Sequence, residues 1–266
     1  MIHLEGERMK ILIIGAGNMG GALVRGAVNS GMKVIACDTD DEKLAAMKNF
    51  GAGTTKDAVN AARVSDVVIF AVKPSSFEAL LPQFEGIANP IYVSVAAGIT
   101  TSYMRLKLGD VKVVRAMPNT PAMIGEGMTA IARGEGVSDS DLDTIVNIFK
   151  SVGRVAPIRE DVMDAAVAMN GSSPAYFYMM LEAMIQFGEQ NGMPNFMAKL
   201  LAAQSMIGAA KMVLESTESP AVLCDRVCSP GGTTIRAVES LKSDGISEII
   251  KAAMAKCMER SKEMST

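Results

Sequence analysis

The sequence predicts an α/β domain built on a mainly parallel, doubly wound sheet, followed by an all-α domain. Three observations carry this. Short β-branched runs alternate with helical stretches over the first 160 residues, the pattern of a parallel sheet covered on both faces. A glycine loop, Gly15-Ala16-Gly17-Asn18-Met19-Gly20, follows the first run directly. After about residue 160 no convincing strand remains, and apolar residues recur at helical spacing. A chain of 266 residues has room for one large or two small domains. The expected division is 1–160, with 1–8 as an N-terminal extension, and 161–266.

The elements follow in order. Lys10–Ile14 reads as a buried strand, 18–30 as a helix closed by Gly31, and Lys33–Cys37 as a second strand. Glu42–Asn49 is a helix ending before Gly51, Val67–Val72 a strand, and Pro74 opens the next helix. Ile91–Val95, Val111–Arg115, Met128–Ala132 and Arg154–Ile158 are further strands. Ser138 is placed to cap a helix running to Lys150. Beyond the boundary, 161–190, 195–215, 230–242 and 245–263 read helical. In the second of these, Phe196, Leu200, Ala203, Ile207, Ala210 and Leu214 form one stripe, with Met197, Leu201 and Met206 beside it. A helix apolar around so much of its circumference needs burial on more than one side. This predicts a homodimer built through the helical half.

Composition narrows the function. Lys plus Arg number 26 against 29 Asp plus Glu, a formal charge of −3, so no basic surface for nucleic acid or an anionic membrane is expected. The single histidine, His3, precedes the first strand and removes most histidine-based chemistry. Cys37, Cys224, Cys228 and Cys257 read as free thiols. Cys224 and Cys228 are four apart, but no third ligand completes a metal site. Glu5 and Glu7 lie in the first eight residues without an apolar core, so no signal peptide is read there. The uncharged stretches 87–104 and 165–181 are broken by Pro90 and by Gly171–Pro174. A cytoplasmic protein without a membrane or nucleic-acid partner is expected.

The glycine loop is G-x-G-x-x-G in its required setting, between a strand and a helix that leads to a second strand. Gly15 allows the tight turn, Gly17 lets backbone approach a pyrophosphate, and Gly20 lets the helix pack on the strand. The helix N-terminus at Asn18 and Met19 favours an anion. This is a Rossmann dinucleotide site. Asp38, at the end of the second strand, is placed either to bind the ribose hydroxyls of NAD or to cap the next helix. Cys228-Ser229-Pro230-Gly231-Gly232-Thr233-Thr234 is the second signature. Ser229 as N-cap and Pro230 at the first position predict a helix start with open N–H groups, suited to a substrate carboxylate. Two glycines there weaken a helix by about 1 kcal/mol each and call for another explanation.

With these stretches the sequence resembles pyrroline-5-carboxylate reductases from about Lys10 onward. The resemblance rests on the glycine loop, Ala71-Val72-Lys73-Pro74, Ser94-Val95-Ala96-Ala97-Gly98, Arg115-Ala116-Met117-Pro118-Asn119-Thr120-Pro121, Gly171-Ser172-Ser173-Pro174-Ala175-Tyr176, and Ser229–Thr234. It implies a Rossmann domain followed by a helical dimerisation domain, in dimers that can assemble further. It implies reduction of 1-pyrroline-5-carboxylate to L-proline with NADP(H) or NAD(H). By motif position Ala71, Val72, Lys73, Pro74, Ala97 and Gly98 line the cofactor. Ser229, Gly231, Gly232 and Thr233 hold substrate, and Thr234 lies near the ring nitrogen as the catalytic residue. Two positions depart from the family pattern. Asp38 stands where the family often reads a 2′-phosphate with small polar or basic residues. Asn170-Gly171-Ser172-Ser173 replaces the frequent Ser-Gly-Ser-Gly. Arg115 is read either as a support for the Asn119-Thr120-Pro121 turn or as a substrate contact, Thr120 before Pro121 as a cap, and Tyr176 as core or dimer interface.

The rival readings are a reductase of a six-membered cyclic imine acid, a β-hydroxyacid dehydrogenase and a non-catalytic dinucleotide sensor. The dehydrogenase relies on a lysine in the long helix after the sheet, and 161–190 contains none.

Overall fold

A computed structural model describes residues 9–265; the expected N-terminal extension 1–8, with His3, lies outside the described residues. Contacts divide the chain into a unit of Met1–Pro174 with Cys257–Thr266 and a unit of Ala175–Lys256.

The first unit is an eight-stranded sheet of order β3-β2-β1-β4-β5-β6-β7-β8. Its strands are β1 (Lys10–Ile14), β2 (Lys33–Cys37), β3 (Gly53–Thr55), β4 (Val67–Phe70), β5 (Ile91–Ser94), β6 (Val113–Met117), β7 (Gly127–Arg133) and β8 (Gly153–Pro157). Neighbours are parallel except β6 and β7, which pair antiparallel from Val114↔Arg133 to Met117↔Ala130. The expected α/β class and mainly parallel sheet are observed. Alternate residues of β1 serve the two faces. Ile11 and Ile13 join Leu23, Val24, Ile145 and Phe149 on one side, and Leu12 and Ile14 join Phe70, Phe77, Phe84 and Tyr92 on the other.

Helices α1 (Asn18–Asn29), α2 (Asp41–Asn49), α3 (Ala58–Arg63), α4 (Phe77–Leu80), α5 (Thr101–Leu108), α6 (Asp139–Lys150) and α7 (Met163–Ala166) cover the sheet. Ser138 caps α6 as expected, in a reciprocal capping box with Asp141. The periodicity passed over β3, α3 and α5, because three, six and eight residues are too few to establish a period. Pro74 opens a 3-10 turn, Pro74–Ser76, which then continues into α4. The expected strands 67–72 and 111–115 are corrected to 67–70 and 113–117.

Then come α8 (Ser173–Gln190), α9 (Asn195–Glu215), α10 (Pro220–Val227), α11 (Thr233–Ser243) and α12 (Ile246–Met264). The all-α reading of this half holds, although α10 was not anticipated. In α9, Ala198 and Ala202 are buried, while Phe196, Leu200 and Leu214 are 68%, 61% and 62% exposed. The stripe read from the sequence is therefore uncovered within a single chain. By length and composition alone, α9 is apolar enough to cross a membrane.

Two Ser-Pro pairs in this half behave differently. Ser219 caps α10, accepting from the Val222 N–H at 3.3 Å, with Pro220 at the first position. Ser229-Pro230 instead begins a turn closed by the Gly232 N–H donating to the Ser229 carbonyl at 3.0 Å. Gly232 is the N-cap of α11. The expectation that Ser229 caps the helix and Pro230 opens it is corrected. Gly231 takes φ +69, the third position of a type II turn with proline at the second. A Cβ on Gly232 would collide with the Ser229 hydroxyl. The two glycines belong to the turn, not to the helix.

Candidate functional site

A candidate site in the sheet unit lies at the carboxyl edge of the sheet, where doubly wound folds receive ligands. One backbone bond beyond each ladder aligns three loops there. Gly15 N donates to Cys37 O at 2.7 Å, Ala71 N to Ile14 O at 2.8 Å, and Val95 N to Phe70 O at 3.2 Å. Gly15 has φ +98, and a Cβ there would stand 2.5 Å from Ala71 O; one on Gly20 would overlap the Gly15 carbonyl. Packing dictates both glycines. Gly17 is different. Its backbone is extended, it is exposed, and nothing lies within 4 Å of a would-be Cβ. It is the N-cap of α1, and no side chain caps that helix. Open space at Gly17 and a bare helix start at Asn18 and Met19 suit a pyrophosphate.

Asp38 lies against this loop. Its carboxylate accepts from the Ala16 N–H at 2.7 Å and the Asp40 N–H at 3.0 Å. Lys43 Nζ is 3.9 Å away, and the side chain is 11% exposed. Capping of α2 falls to Asp40, which accepts from the Glu42 and Lys43 N–H groups. The Lys43 N–H holds the Asp40 carboxyl below its ordinary range. The alternative that Asp38 caps the next helix is thereby removed. Burial, reinforced by Asp38 and Asp57, pushes the neighbouring Cys37 thiol up to about 11.

Ala71 and Val72 are half-buried, Lys73 is exposed, and Pro74 begins the 3-10 turn. Gly98 has φ +78, and a Cβ on it would stand 2.5 Å from Met264 O. The last turn of α12 thus packs on the Ala97–Gly98 loop within the sheet unit. Arg115 is buried, 3.5 Å from Asp164 and 3.9 Å from Glu160, and Asp164 accepts from the Ser261 hydroxyl at 2.7 Å. Thr120 starts a 3-10 turn, Thr120–Ile124, whose N-cap is Asn119; the reading of Thr120 as a cap is corrected.

The helical unit carries a candidate site of its own at the start of α11. The turn Ser229–Gly232 delivers the chain to a helix N-terminus that no side chain caps and that has no acidic residue in its first turn. Thr233 is exposed and Thr234 half-buried. This is a second anion-receiving helix start, with two hydroxyls in its first turn. The four cysteines are free thiols.

Residues 160–264 match the family model for pyrroline-5-carboxylate reductase dimerisation, and 10–98 match that for NADP oxidoreductase, coenzyme F420-dependent. The pyrroline-5-carboxylate reductase of Escherichia coli (strain K12) is 40% identical over 264 residues, covering 96% of this chain and 98% of its own. The chain belongs to the pyrroline-5-carboxylate reductase family. The pyrroline-5-carboxylate reductase from Coxiella burnetii superposes with a TM-score of 0.91 at 33% identity, covering 98% of this chain and 100% of its own. The Plasmodium falciparum pyrroline carboxylate reductase, solved with NADP bound, superposes with 0.89 at 28% identity, covering 98% and 99%. Against this family background, the sequence reading missed what Asn119 and Asn170 do inside the sheet unit. Two asparagines 51 residues apart carry no pattern that single-sequence reading detects.

Proposed function

We propose that this chain reduces 1-pyrroline-5-carboxylate to L-proline with NADPH or NADH, as a cytoplasmic homodimer. The observation that carries the reading is a pair of uncapped helix starts, one after Gly17 and one after Gly232, in a chain of this family. Gly15, Gly17, Asn18, Met19 and Gly20 would hold the pyrophosphate, and Asp38 the adenosine ribose. Ala71, Val72, Lys73, Pro74, Ala97 and Gly98 would line the rest. When bound, the dinucleotide supplies the hydride. Ser229, Gly231, Gly232 and Thr233 bind the substrate carboxylate through backbone N–H groups and hydroxyls. Thr234 holds the ring nitrogen, accepting a hydrogen bond from an iminium or donating one to a neutral imine. A protonated C=N bond already attracts hydride, so the protein's main task is orientation, which suits a chain with one histidine.

The helical unit matches a dimerisation model, and its α9 stripe is exposed in one chain. The homodimer covers that stripe. The deciding experiment follows nicotinamide oxidation with five-membered and six-membered cyclic imine acids and with hydroxy acids. Turnover of the five-membered imine acid is expected. Oxidation only with hydroxy acids, or dinucleotide binding without turnover, would overturn the assignment. One ring methylene is worth about 1–3 kcal/mol in a pocket, so preference between rings is read from kcat/KM.

A further inference from the structure

The pairing of β6 with β7 stops at Met117↔Ala130. Pro118 follows the strand and lacks an N–H, but the alternation set by Gly134 N donating to Val113 O turns its nitrogen away from β7. Beyond Met117, two asparagine side chains continue the cross-strand bonding. The Asn170 side-chain amide donates to Met117 O on β6 at 2.9 Å and to Met128 O on β7 at 3.0 Å. The Asn119 carboxamide oxygen accepts from the Met128 N–H at 2.9 Å. Its amide donates to Asn170 Oδ1 at 3.1 Å, with a longer contact of 3.4 Å to Asn170 O. These bonds fix the orientation of both amides.

Asn170 reaches this place because the backbone over Val167–Gly171 forms a π-helical turn, closed by Ser172 N donating to Val167 O at 2.9 Å. Such turns are uncommon and often mark functional sites. Gly171 follows against Met117, whose sulfur would lie 3.2 Å from a Cβ. On the other side the turn after Pro118 packs on α1, with Ala122 in the same core cluster as Leu23, Val24 and Ala27. The asparagine pair therefore sets where the Pro118–Pro121 turn stands on the carboxyl edge. In the strand order, β6 lies on the side of β1 away from β2 and Asp38. A dinucleotide whose ribose is read at Asp38 and whose pyrophosphate lies on α1 extends its reacting end toward β4, β5 and β6.

We infer that Asn170, acting through Asn119 and the two strand carbonyls, is a positioning residue for hydride transfer. The inference rests on the reductase reading above.

The test compares Asn170→Asp, Asn170→Ser and Asn170→Ala. Steady-state kinetics with the five-membered imine acid, NADPH binding by fluorescence and thermal melts are run at a temperature where each variant is folded. A carboxylate at 170 keeps the acceptor for Asn119 but cannot donate to Met117 O and Met128 O. Asn170→Ala and Asn170→Asp should lower kcat by about 10-fold or more at neutral pH, as expected for a misplaced reacting group. NADPH affinity should stay within about 3-fold, since the pyrophosphate grip is untouched. Asn170→Ser keeps one donor and should fall between parent and alanine. Asn170→Asp should regain kcat as pH falls, because the protonated carboxyl supplies one donor, whereas Asn170→Ala should follow the parent profile. An unchanged kcat in folded Asn170→Ala, or identical pH profiles for the aspartate and alanine variants, overturns the inference. A wild-type chain that binds NADPH but turns over no imine acid overturns the reductase reading instead.

Discussion

Replacing Asp38 by Asn should move coenzyme preference toward NADPH, and the size of the shift follows from where the carboxylate stands. Asp38 lies against the glycine loop, 11% exposed, with both oxygens on backbone N–H groups. An acid at this position accepts from the ribose hydroxyls of NADH and faces the 2′-phosphate of NADPH. Two unit charges about 5 Å apart repel by about 0.8 kcal/mol in water and about 3 kcal/mol at an effective dielectric near 20. A phosphate monoester carries about −1.5 to −2, which raises this, while Lys43, 3.9 Å from the carboxylate, offsets part of it. A net 1.5–3 kcal/mol, or about 10- to 150-fold in the ratio of kcat/KM for NADPH to that for NADH, is expected. The amide has one acceptor oxygen for two N–H groups, so a stability loss of about 1–3 kcal/mol accompanies the change. The assay is kcat/KM for both dinucleotides at fixed imine acid, with a thermal melt to set a temperature where the variant is folded. Parallel losses with NADH and NADPH, leaving the ratio within about 3-fold, would refute the electrostatic argument. Asp38 would then serve only to hold the Ala16 and Asp40 N–H groups.

Thr234→Ala should lower kcat/KM by about 10-fold or more while NADPH binding survives, as the proposed role at the substrate ring nitrogen requires; an unchanged kcat/KM removes Thr234 from the reaction. Gly17→Ala should melt near the parent temperature but bind dinucleotide weakly, since its Cβ meets no protein atom and would enter the space proposed for the pyrophosphate. Gly20→Ala should unfold the chain more readily, its Cβ overlapping the Gly15 carbonyl, and calorimetry alongside NADPH titration separates the two outcomes. Leu200→Asp on the exposed face of α9 should shift sedimentation toward a monomer at micromolar concentration without loss of the sheet unit's circular dichroism; a wild-type monomer would refute the dimer. On the alkaline side, the raised Cys37 thiol stabilises the fold fully below its ordinary pKa of 9.0, and this contribution is lost as pH rises through about 11. On the acid side, the Lys112 ammonium, with the Ser138 hydroxyl, holds Asp141 down to about 2, so its contribution is present above 3.8 and lost as pH falls through about 2. Chemical denaturation across pH should show the alkaline limb flattened in Cys37→Ala and the acid limb flattened in Asp141→Asn.

What the sequence disclosed and what it hid divide along a physical line. The strands Lys10–Ile14, Lys33–Cys37 and Val67–Phe70 were legible because burial on both faces demands unbroken apolar runs. The glycine loop was legible because close backbone approach demands residues without a Cβ. These are constraints that act on neighbours in the chain. The Ser-Pro pairs mark the limit of such reasoning. At 219 and 229 the same two residues have the same local preference, yet one caps α10 and the other turns the chain. The deciding information lies in the next two residues, Ala221-Val222 against Gly231-Gly232, since only a glycine readily takes the positive φ that the turn needs. Asn119 and Asn170 lie beyond even that reach. Their pairing continues the cross-strand bonding where the β6–β7 ladder ends at Met117↔Ala130, and buried carbonyls are met by whatever donor the fold brings near. Nothing at position 170 announces that it will serve a strand 53 residues earlier. The demand is nevertheless written at the strand: β6 ends at Met117 while β7 runs on to Gly127, which leaves the Met128 backbone groups for a distant amide to satisfy. A sequence reading that tracks unmet backbone groups as closely as apolar periodicity would have looked for that amide.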